Sequence, residues 1–199
     1  MPTDLTRRSF AALAASALVA ATLARPAAAL TVDQAKALVD TVTGEINKVI
    51  NSGASPEAMY AAFQDIFTRY ADVNYIALSA LGPAGRTATP AQKAAFTKAF
   101  SRYLAVKYGK RFREFVGGQI EVTGAKPVKT FFEVQSVAKL QGQAPFDVRF
   151  QVFEKDGKQR FFNIVIEGVN MLSSERAEIG ALLDKNGGNI DAMIAQLKG

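Results

Sequence analysis

The chain has 199 residues and a net charge of +6, and it contains no cysteine, no histidine and no tryptophan but 14 phenylalanines. The missing residue types exclude disulfides, cysteine nucleophiles, serine–histidine triads and the usual His/Cys zinc sites. A chain of this length can bury a sizeable core, and it offers much apolar surface with little reactive chemistry.

The first segment has the form of an export signal. Arg7 and Arg8 are adjacent, an apolar run follows from Ala11 to Ala24, and Ala27-Ala28-Ala29 is a small-residue cleavage site. The arginine pair indicates the twin-arginine route into the periplasm, with removal of residues 1–29. The remaining residues, 30–199, then form a single domain.

Two alternatives to this interpretation of the first segment remain open. An uncleaved membrane anchor would need about 20 strongly apolar residues, which is more than the alanine-rich run supplies. An ordinary secretion signal that carries two arginines by chance is the main competitor.

Helical periodicity governs the next part of the chain. Capping boxes at Thr31-x-x-Gln34 and Thr89-Pro90-Ala91-Gln92 each open a helix, and Ser55-Pro56-Glu57 opens another. A short helix is predicted from Asp72 to Leu81, and the helix that follows Thr89 is expected to bend at Gly109.

The periodicity then changes to two, which predicts four strands. Their alternating residues are Ile120 and Val122; Thr130 to Leu140; Phe146 to Val152; and Phe162, Ile164 and Ile166. Asp156-Gly157 is a strong hairpin signal between the last two strands. Two helices, near 171–183 and 189–197, complete the chain. Such separate blocks of helices and strands predict an α+β fold, in which helices pack on a curved four-stranded antiparallel sheet and enclose an apolar cavity.

The last third of the chain resembles a known family. The segment from Phe162 to Met171 contains Ile166-Glu167-Gly168-Val169, and Arg176 and the break at Asn186-Gly187-Gly188 follow. This pattern is similar to that of the MlaC family, the toluene-tolerance periplasmic lipid carriers. Earlier positions fit the same pattern, and they are Leu81, Gly82, Arg86, Ala88, Thr89, Gln92, Phe96, Ala99, Phe100 and Tyr108.

The chain departs from the family pattern at a few positions. Asn163 replaces an aspartate, Asn170 replaces a serine, Ser174-Glu175 replaces Asn-Tyr, and the tryptophan after the hairpin is missing. These changes leave the lipid open, so a hopanoid or another apolar lipid is an alternative to a phospholipid.

The resemblance implies a monomeric periplasmic carrier without a cofactor. It would move phospholipid between an outer-membrane lipoprotein complex and an inner-membrane ABC transporter, with the tails between sheet and helices. The candidate tail-binding residues are Tyr75, Leu78, Phe100, Leu104, Tyr108, Phe132, Val134, Phe146, Val148, Phe150, Ile164, Ile166 and Val169. Each of these positions is also compatible with an ordinary core.

A basic cluster in the same chain is the candidate contact for a head group or a partner. It consists of Lys107, Lys110, Arg111 and Arg113, and a solvated helix face is the alternative interpretation. Nucleic acid is excluded as a partner by the expected compartment and by the lack of a binding motif.

Two other function classes, an enzyme and an adaptor, are alternatives to a carrier. Glu133, Asp147 and Glu167 are the carboxylates nearest the expected cavity, and an enzyme would need one of them buried with a raised pKa. Glu167, before Gly168, fits a structural role at a turn better. A periplasmic adaptor would have a solid core instead of a cavity.

Overall fold

The computed structural model describes residues 30–113 and 116–198. The predicted signal segment, its cleavage site and the side chain of Arg113 lie outside the described residues. The described part has the α+β architecture expected from the sequence, with helices at both ends of the chain and an antiparallel sheet between them.

Five helices precede the sheet. They are α1 (Val32–Ile50), α2 (Pro56–Tyr70), α3 (Val73–Leu81), α4 (Ala84–Thr87) and α5 (Pro90–Arg113). Thr31 and Gln34 form the capping box that opens α1, and Thr89 and Gln92 form an equivalent pair at α5. Each pair satisfies backbone donors that the first turn of a helix leaves free, so these helices begin where the sequence predicts.

Gly109 does not end α5, which continues to Arg113. A Cβ atom at this glycine would lie 2.5 Å from the ring of Tyr60 in α2. The glycine therefore permits a close approach of α2 and α5.

The sheet is a meander of five strands in the order β1-β2-β3-β4-β5. The strands are β1 (Gln119–Val128), β2 (Phe131–Lys139), β3 (Phe146–Lys155), β4 (Lys158–Ile166) and β5 (Val169–Asn170). Asp156 and Gly157 form the predicted hairpin turn, with φ of 53° and 70°.

The fifth strand was not predicted from the sequence. Glu167 and Gly168 have φ of 48° and 77°, so they make a second two-residue turn of the same kind. This turn pairs Val169 with Ile166 and gives a short edge strand in place of a direct entry into the next helix.

Irregular pairing in β4 changes which phenylalanine enters the core. Gln151 pairs with Asn163 and Val152 pairs with Phe161, so Phe162 is an extra residue in a bulge. Phe161 is consequently buried with the core. The sequence prediction that Phe162 shares a face with Ile164 and Ile166 is wrong for this reason.

The helix α1 lies across strands β1 to β4. Its buried residues, which include Val39, Val42 and Ile46, belong to one core cluster with Val134, Val148 and Phe150 of the sheet. The face of the sheet that these residues share is called the inner face below. Asn47 of α1 also binds both backbone groups of Ile120 in β1, at 3.0 Å and 2.9 Å.

Two helices follow the sheet, α6 (Met171–Lys185) and α7 (Ile190–Lys198). The side chain of Asn170 accepts from the backbone N–H of Ser173 and caps α6. The helix α6 packs against α3 and β4, and α7 packs against α5. Among the described residues, no helix has the length and apolar character that crossing a membrane requires.

Candidate functional site

The inner face carries two rows of side chains that run across three strands. Val134, Phe150 and Ile164 are directly paired in the first row, and Ser136, Val148 and Ile166 are paired in the second. Because alternate residues of a strand point to opposite faces, each row presents its side chains to the same side of the sheet. Five of the candidate tail-binding residues thus lie side by side.

Two further sheet candidates, Phe132 of β2 and Phe146 of β3, lie beyond these rows. Phe132 pairs with Val152, and Phe146 pairs with Ala138, so both lie on the inner face at opposite ends of the β2–β3 pair. Both side chains are half-buried and pack against the core cluster.

Two of the helical candidates are in the interior. Phe100 is fully buried and stacks on Phe96 with ring centroids 5.3 Å apart. Leu104 is buried in the same core cluster as the inner face. The structure therefore joins these residues of α5 to the sheet candidates in one apolar body.

Three candidates lie elsewhere. Tyr75 and Leu78 in α3 and Val169 in β5 are exposed, with relative accessibilities of 42%, 39% and 53%. The ring of Tyr75 packs edge-on against Phe153 and Phe162, at 5.9 Å and 5.5 Å. Phe153 alternates with the inward-facing Val152, so Tyr75 contacts the outer face of the sheet and not the predicted pocket wall.

An open depression of about 410 Å³ lies between α5, α6 and α7. Its lining residues are Tyr103, Glu178, Ile179, Ala181, Leu182, Lys185, Gln196 and Leu197. None of them was a candidate from the sequence, and none belongs to the inner face. The inner-face candidates are instead packed together with helical side chains in the core.

A buried ionic cluster joins α5 to α6, and the sequence did not predict it. The carboxylate of Glu175 is buried, and its Oε1 accepts from Lys107 Nζ at 2.8 Å and from Tyr108 Oη at 2.5 Å. Glu178, one turn later, accepts from Lys107 and Tyr103. These five residues are called the α5–α6 cluster below. The one signal for it was the departure from the family pattern at position 175.

Burial and charge act together on the ionisable groups of this cluster. Burial, followed by the hydrogen bond to Glu175, raises the pKa of Tyr108. Burial opposes the charge of Lys107, but its contacts with Glu175 and Glu178 hold the pKa of that ammonium above its ordinary value. Burial would raise the pKa of Glu178, yet hydrogen bonds from Lys107 and Tyr103 hold it below its ordinary value. Among the described residues, Lys107 is thus the one cation that the structure places between the two carboxylates of the cluster.

The basic residues that the sequence groups together are separated in the structure. Lys107 belongs to the α5–α6 cluster, and about a third of its side chain is exposed, at 32%. Lys110 and Arg111 are exposed, and among the described residues neither has an ion pair. Lys107 therefore holds two helices together, while Lys110 and Arg111 are available to an external anion.

The three carboxylates considered for catalysis lie away from the inner face. Glu133 is buried, alternates with the inward-facing Val134, and pairs with Lys126 at 3.2 Å and Arg149 at 3.6 Å. Asp147 pairs with Arg149 at 2.7 Å. Glu167 accepts a hydrogen bond from the backbone N–H of Asp147, which agrees with the structural role expected for it at the turn.

Three buried side-chain atoms have no hydrogen-bond partner among the described residues: Ser101 Oγ, Ser136 Oγ and Glu175 Oε2. Ser136 stands in the second row of the inner face between apolar neighbours. In the described part of the chain, no group of acidic residues is arranged to hold a metal ion.

Comparison with known proteins gives a family and a fold. The model of the MlaC protein family matches residues 36–199. A solved structure, the phospholipid-binding protein from Ralstonia solanacearum in complex with a phospholipid at 1.53 Å resolution, superposes with a TM-score of 0.70. Its sequence is 18% identical, and the match covers 83% of this chain and 99% of that one. The family match spans nearly all of the described residues, and the chain therefore belongs to the MlaC family.

Proposed function

We propose that this protein binds a lipid between the inner face of its sheet and the helices that cover it. The observation that carries the proposal is the pair of cross-strand rows, Val134–Phe150–Ile164 and Ser136–Val148–Ile166. These rows form a broad apolar wall in a domain whose family members are lipid carriers. The structurally similar protein from Ralstonia solanacearum holds a phospholipid, which supports the same ligand class here.

A tail gains free energy in such a site because it leaves water. Each buried methylene contributes about 0.8 kcal/mol, so two acyl tails contribute roughly 20 kcal/mol or more. The inner-face side chains now contact helical side chains of the same core. A bound tail would replace part of those helical contacts, which requires α1 to move away from the sheet. Binding and release would therefore be coupled to helix movement, and a docked partner could favour release.

The proposed carrier works in the periplasm, after export by the signal in residues 1–29. It would act as a monomer without a cofactor, between an outer-membrane lipoprotein complex and an inner-membrane ABC transporter. We propose Lys110 and Arg111 as contacts for the head group or a partner, since both are exposed. Binding is favoured over catalysis because the ion pairs of Glu133 and Asp147 are on the outer face.

Lipid analysis of the purified protein tests this proposal. Native mass spectrometry should show a mass increment that detergent displaces, and chromatography with mass spectrometry of the extract should identify the lipid. A phospholipid would support the main proposal, and a hopanoid would support the alternative cargo. A clean apo mass together with an empty extract would reject lipid binding.

A further inference from the structure

The helix α5 has an unusual charge composition. Its 24 residues, Pro90–Arg113, contain four lysines and three arginines but no aspartate or glutamate. Two cations on other helices have acidic partners one turn away, in the pairs Lys36–Asp40 of α1 and Arg69–Asp65 of α2. The sequence of α5 supplies no such partner at any position.

Three of these cations follow a curved row on the exposed side of the helix. Lys98, Arg102 and Lys110 are spaced by four and eight residues, so they extend over about 18 Å of helix and turn through about 120° around its axis. All three are exposed. Within residues 30–113 and 116–198, none of the three has an ion pair or a hydrogen bond through its side chain. They are called the α5 cation row below.

The largest apolar side chains that the structure describes in α5 face the core, and the half-buried Val106 lies between Arg102 and Lys110. Phe96, Phe100 and Leu104 are buried in the core. The exposed neighbours of the row toward the start of the helix are the alanines Ala91 and Ala94. Among the described side chains, the row is therefore a charged surface without an exposed aromatic or leucine anchor.

We propose that the α5 cation row docks the protein on the surface of an anionic lipid bilayer. Protein interfaces depend on buried aromatic or arginine anchors in pockets, and lysine is depleted in them. The row offers two lysines, one arginine and small alanines, which do not suit that mode. Attraction of lysine and arginine to anionic head groups needs neither a pocket nor insertion.

The geometry also determines the kind of membrane contact. An inserted amphipathic helix turns a large apolar face toward the acyl chains, whereas the apolar face of α5 is used by the core. Contact is then electrostatic, depends on the fraction of anionic lipid, and weakens as salt shortens the range of the interaction. This inference goes beyond the proposed lipid binding, because a lipid-free protein would dock equally well.

Vesicle flotation tests the proposal with a matched control. The purified protein is mixed with vesicles of phosphatidylcholine alone or with phosphatidylglycerol at about 30%, at low and at physiological salt. Each cation near such a surface raises the binding constant about fivefold. The triple variant Lys98→Gln/Arg102→Gln/Lys110→Gln should bind the anionic vesicles tenfold to roughly 100-fold more weakly than the wild type. The control variant Lys48→Gln/Lys129→Gln/Lys158→Gln removes the same charge from exposed lysines on other elements and should lose about threefold or less.

Three results would overturn the proposal. They are an absence of binding to anionic vesicles at low salt, equal binding to both vesicle types, and equal losses in the two triple variants. Equal binding to both vesicle types would leave an acidic protein surface as the partner of the row. The lipid content of each variant, measured on the same preparations, separates failure of docking from failure of lipid binding.

Discussion

The hydroxyl of Tyr108 in α5 donates a hydrogen bond to Glu175 in α6, and the same carboxylate oxygen accepts from Lys107 at 2.8 Å. The other oxygen of Glu175 is buried without a partner among the described residues. Glu175 therefore joins two helices that flank the core, and its charge is balanced chiefly by one lysine.

Replacement of Glu175 tests the strength of this connection. Glu175→Gln keeps the shape of the side chain but leaves Lys107 with Glu178, which is more exposed, as its remaining acidic partner. The free energy of unfolding should therefore fall by about 1–3 kcal/mol, which is less than the loss expected when a fully buried ion pair is broken. Glu178→Gln is the matched control, because its side chain is 52% exposed and its loss should be under about 1 kcal/mol. Urea unfolding at pH 7 measures both changes. Equal losses would contradict a special role for the buried carboxylate.

The same cluster predicts a fall in stability at alkaline pH. The pKa of Tyr108 is raised by burial and then by its bond to Glu175, from an ordinary value of 10.0. Below pH 10.0 the phenol is protonated in both states, so its contribution is complete there. Above that pH the unfolded chain loses the proton while the folded chain keeps it, so the free energy of unfolding falls.

Lys107 also lowers the free energy of unfolding at alkaline pH, since its pKa is raised in the folded state despite burial. Tyr108→Phe should lower stability at pH 7 by about 1 kcal/mol, through the lost hydrogen bond. The variant should also show a shallower decline than the wild type between pH 10 and about 11. Chemical unfolding across this range gives both slopes, and parallel curves would count against the argument.

Filling the proposed site should remove the lipid. Val134 and Val137 lie on the same strand, but Val134 is fully buried in the first row of the inner face and Val137 faces the other side. Val134→Phe should lose most of its bound lipid and about 1–3 kcal/mol of stability through overpacking. Val137→Phe should keep its lipid. Quantification of lipid per protein by mass spectrometry compares them, and equal retention would place the tails elsewhere.

Glycine-to-alanine changes should have opposite signs at two helical positions. Alanine normally stabilises a helix interior by about 1 kcal/mol relative to glycine. At Gly44 in α1 a new Cβ meets nothing within 4 Å, so Gly44→Ala should stabilise the protein. At Gly109 the Cβ would meet the Tyr60 ring, so Gly109→Ala should destabilise it by about 1–3 kcal/mol. Thermal unfolding measures both variants, and stabilisation at Gly109 would show that α2 and α5 can separate easily.

Export should depend on the arginine pair. Arg7→Lys/Arg8→Lys preserves the charge of the signal but removes the feature that the twin-arginine route recognises. Fractionation of cells should then find the variant inside, and the wild type in the periplasm with residues 1–29 removed. Normal export of the double variant would indicate ordinary secretion in the unfolded state.

Local signals in the sequence predicted much of the fold. Thr31, Ser55 and Thr89 begin helices, and Asp156-Gly157 makes a hairpin. In each case the hydrogen bonds or dihedral angles that the feature requires involve only a few neighbouring residues. The alternation in β2 and β3 also predicted the inner face correctly. The α+β class follows from these elements.

Features that depend on distant residues were not predictable. The bulge at Phe162 results from the pairing of β4 with β3, and it exchanges Phe161 for Phe162 in the core. The packing of Gly109 against Tyr60 and the bond from Tyr108 to Glu175 join different helices. For the same reason the sequence grouped Lys107 with Lys110, although Lys107 pairs with two glutamates of α6 and Lys110 has no ion pair among the described residues.

Asn47 binds backbone groups at the edge of β1, where another strand could otherwise pair. Its amide binds both the N–H and the C=O of Ile120, and Asn51 binds Gly117 N at 2.9 Å. Asn47 of α1 and Asn51, the residue that follows this helix, thus occupy backbone groups at and just before the start of β1, at an open edge of the sheet. Unpaired edges of this kind are where antiparallel sheets recruit other chains and aggregate. The two asparagines therefore protect the molecule against growth of its sheet from copy to copy.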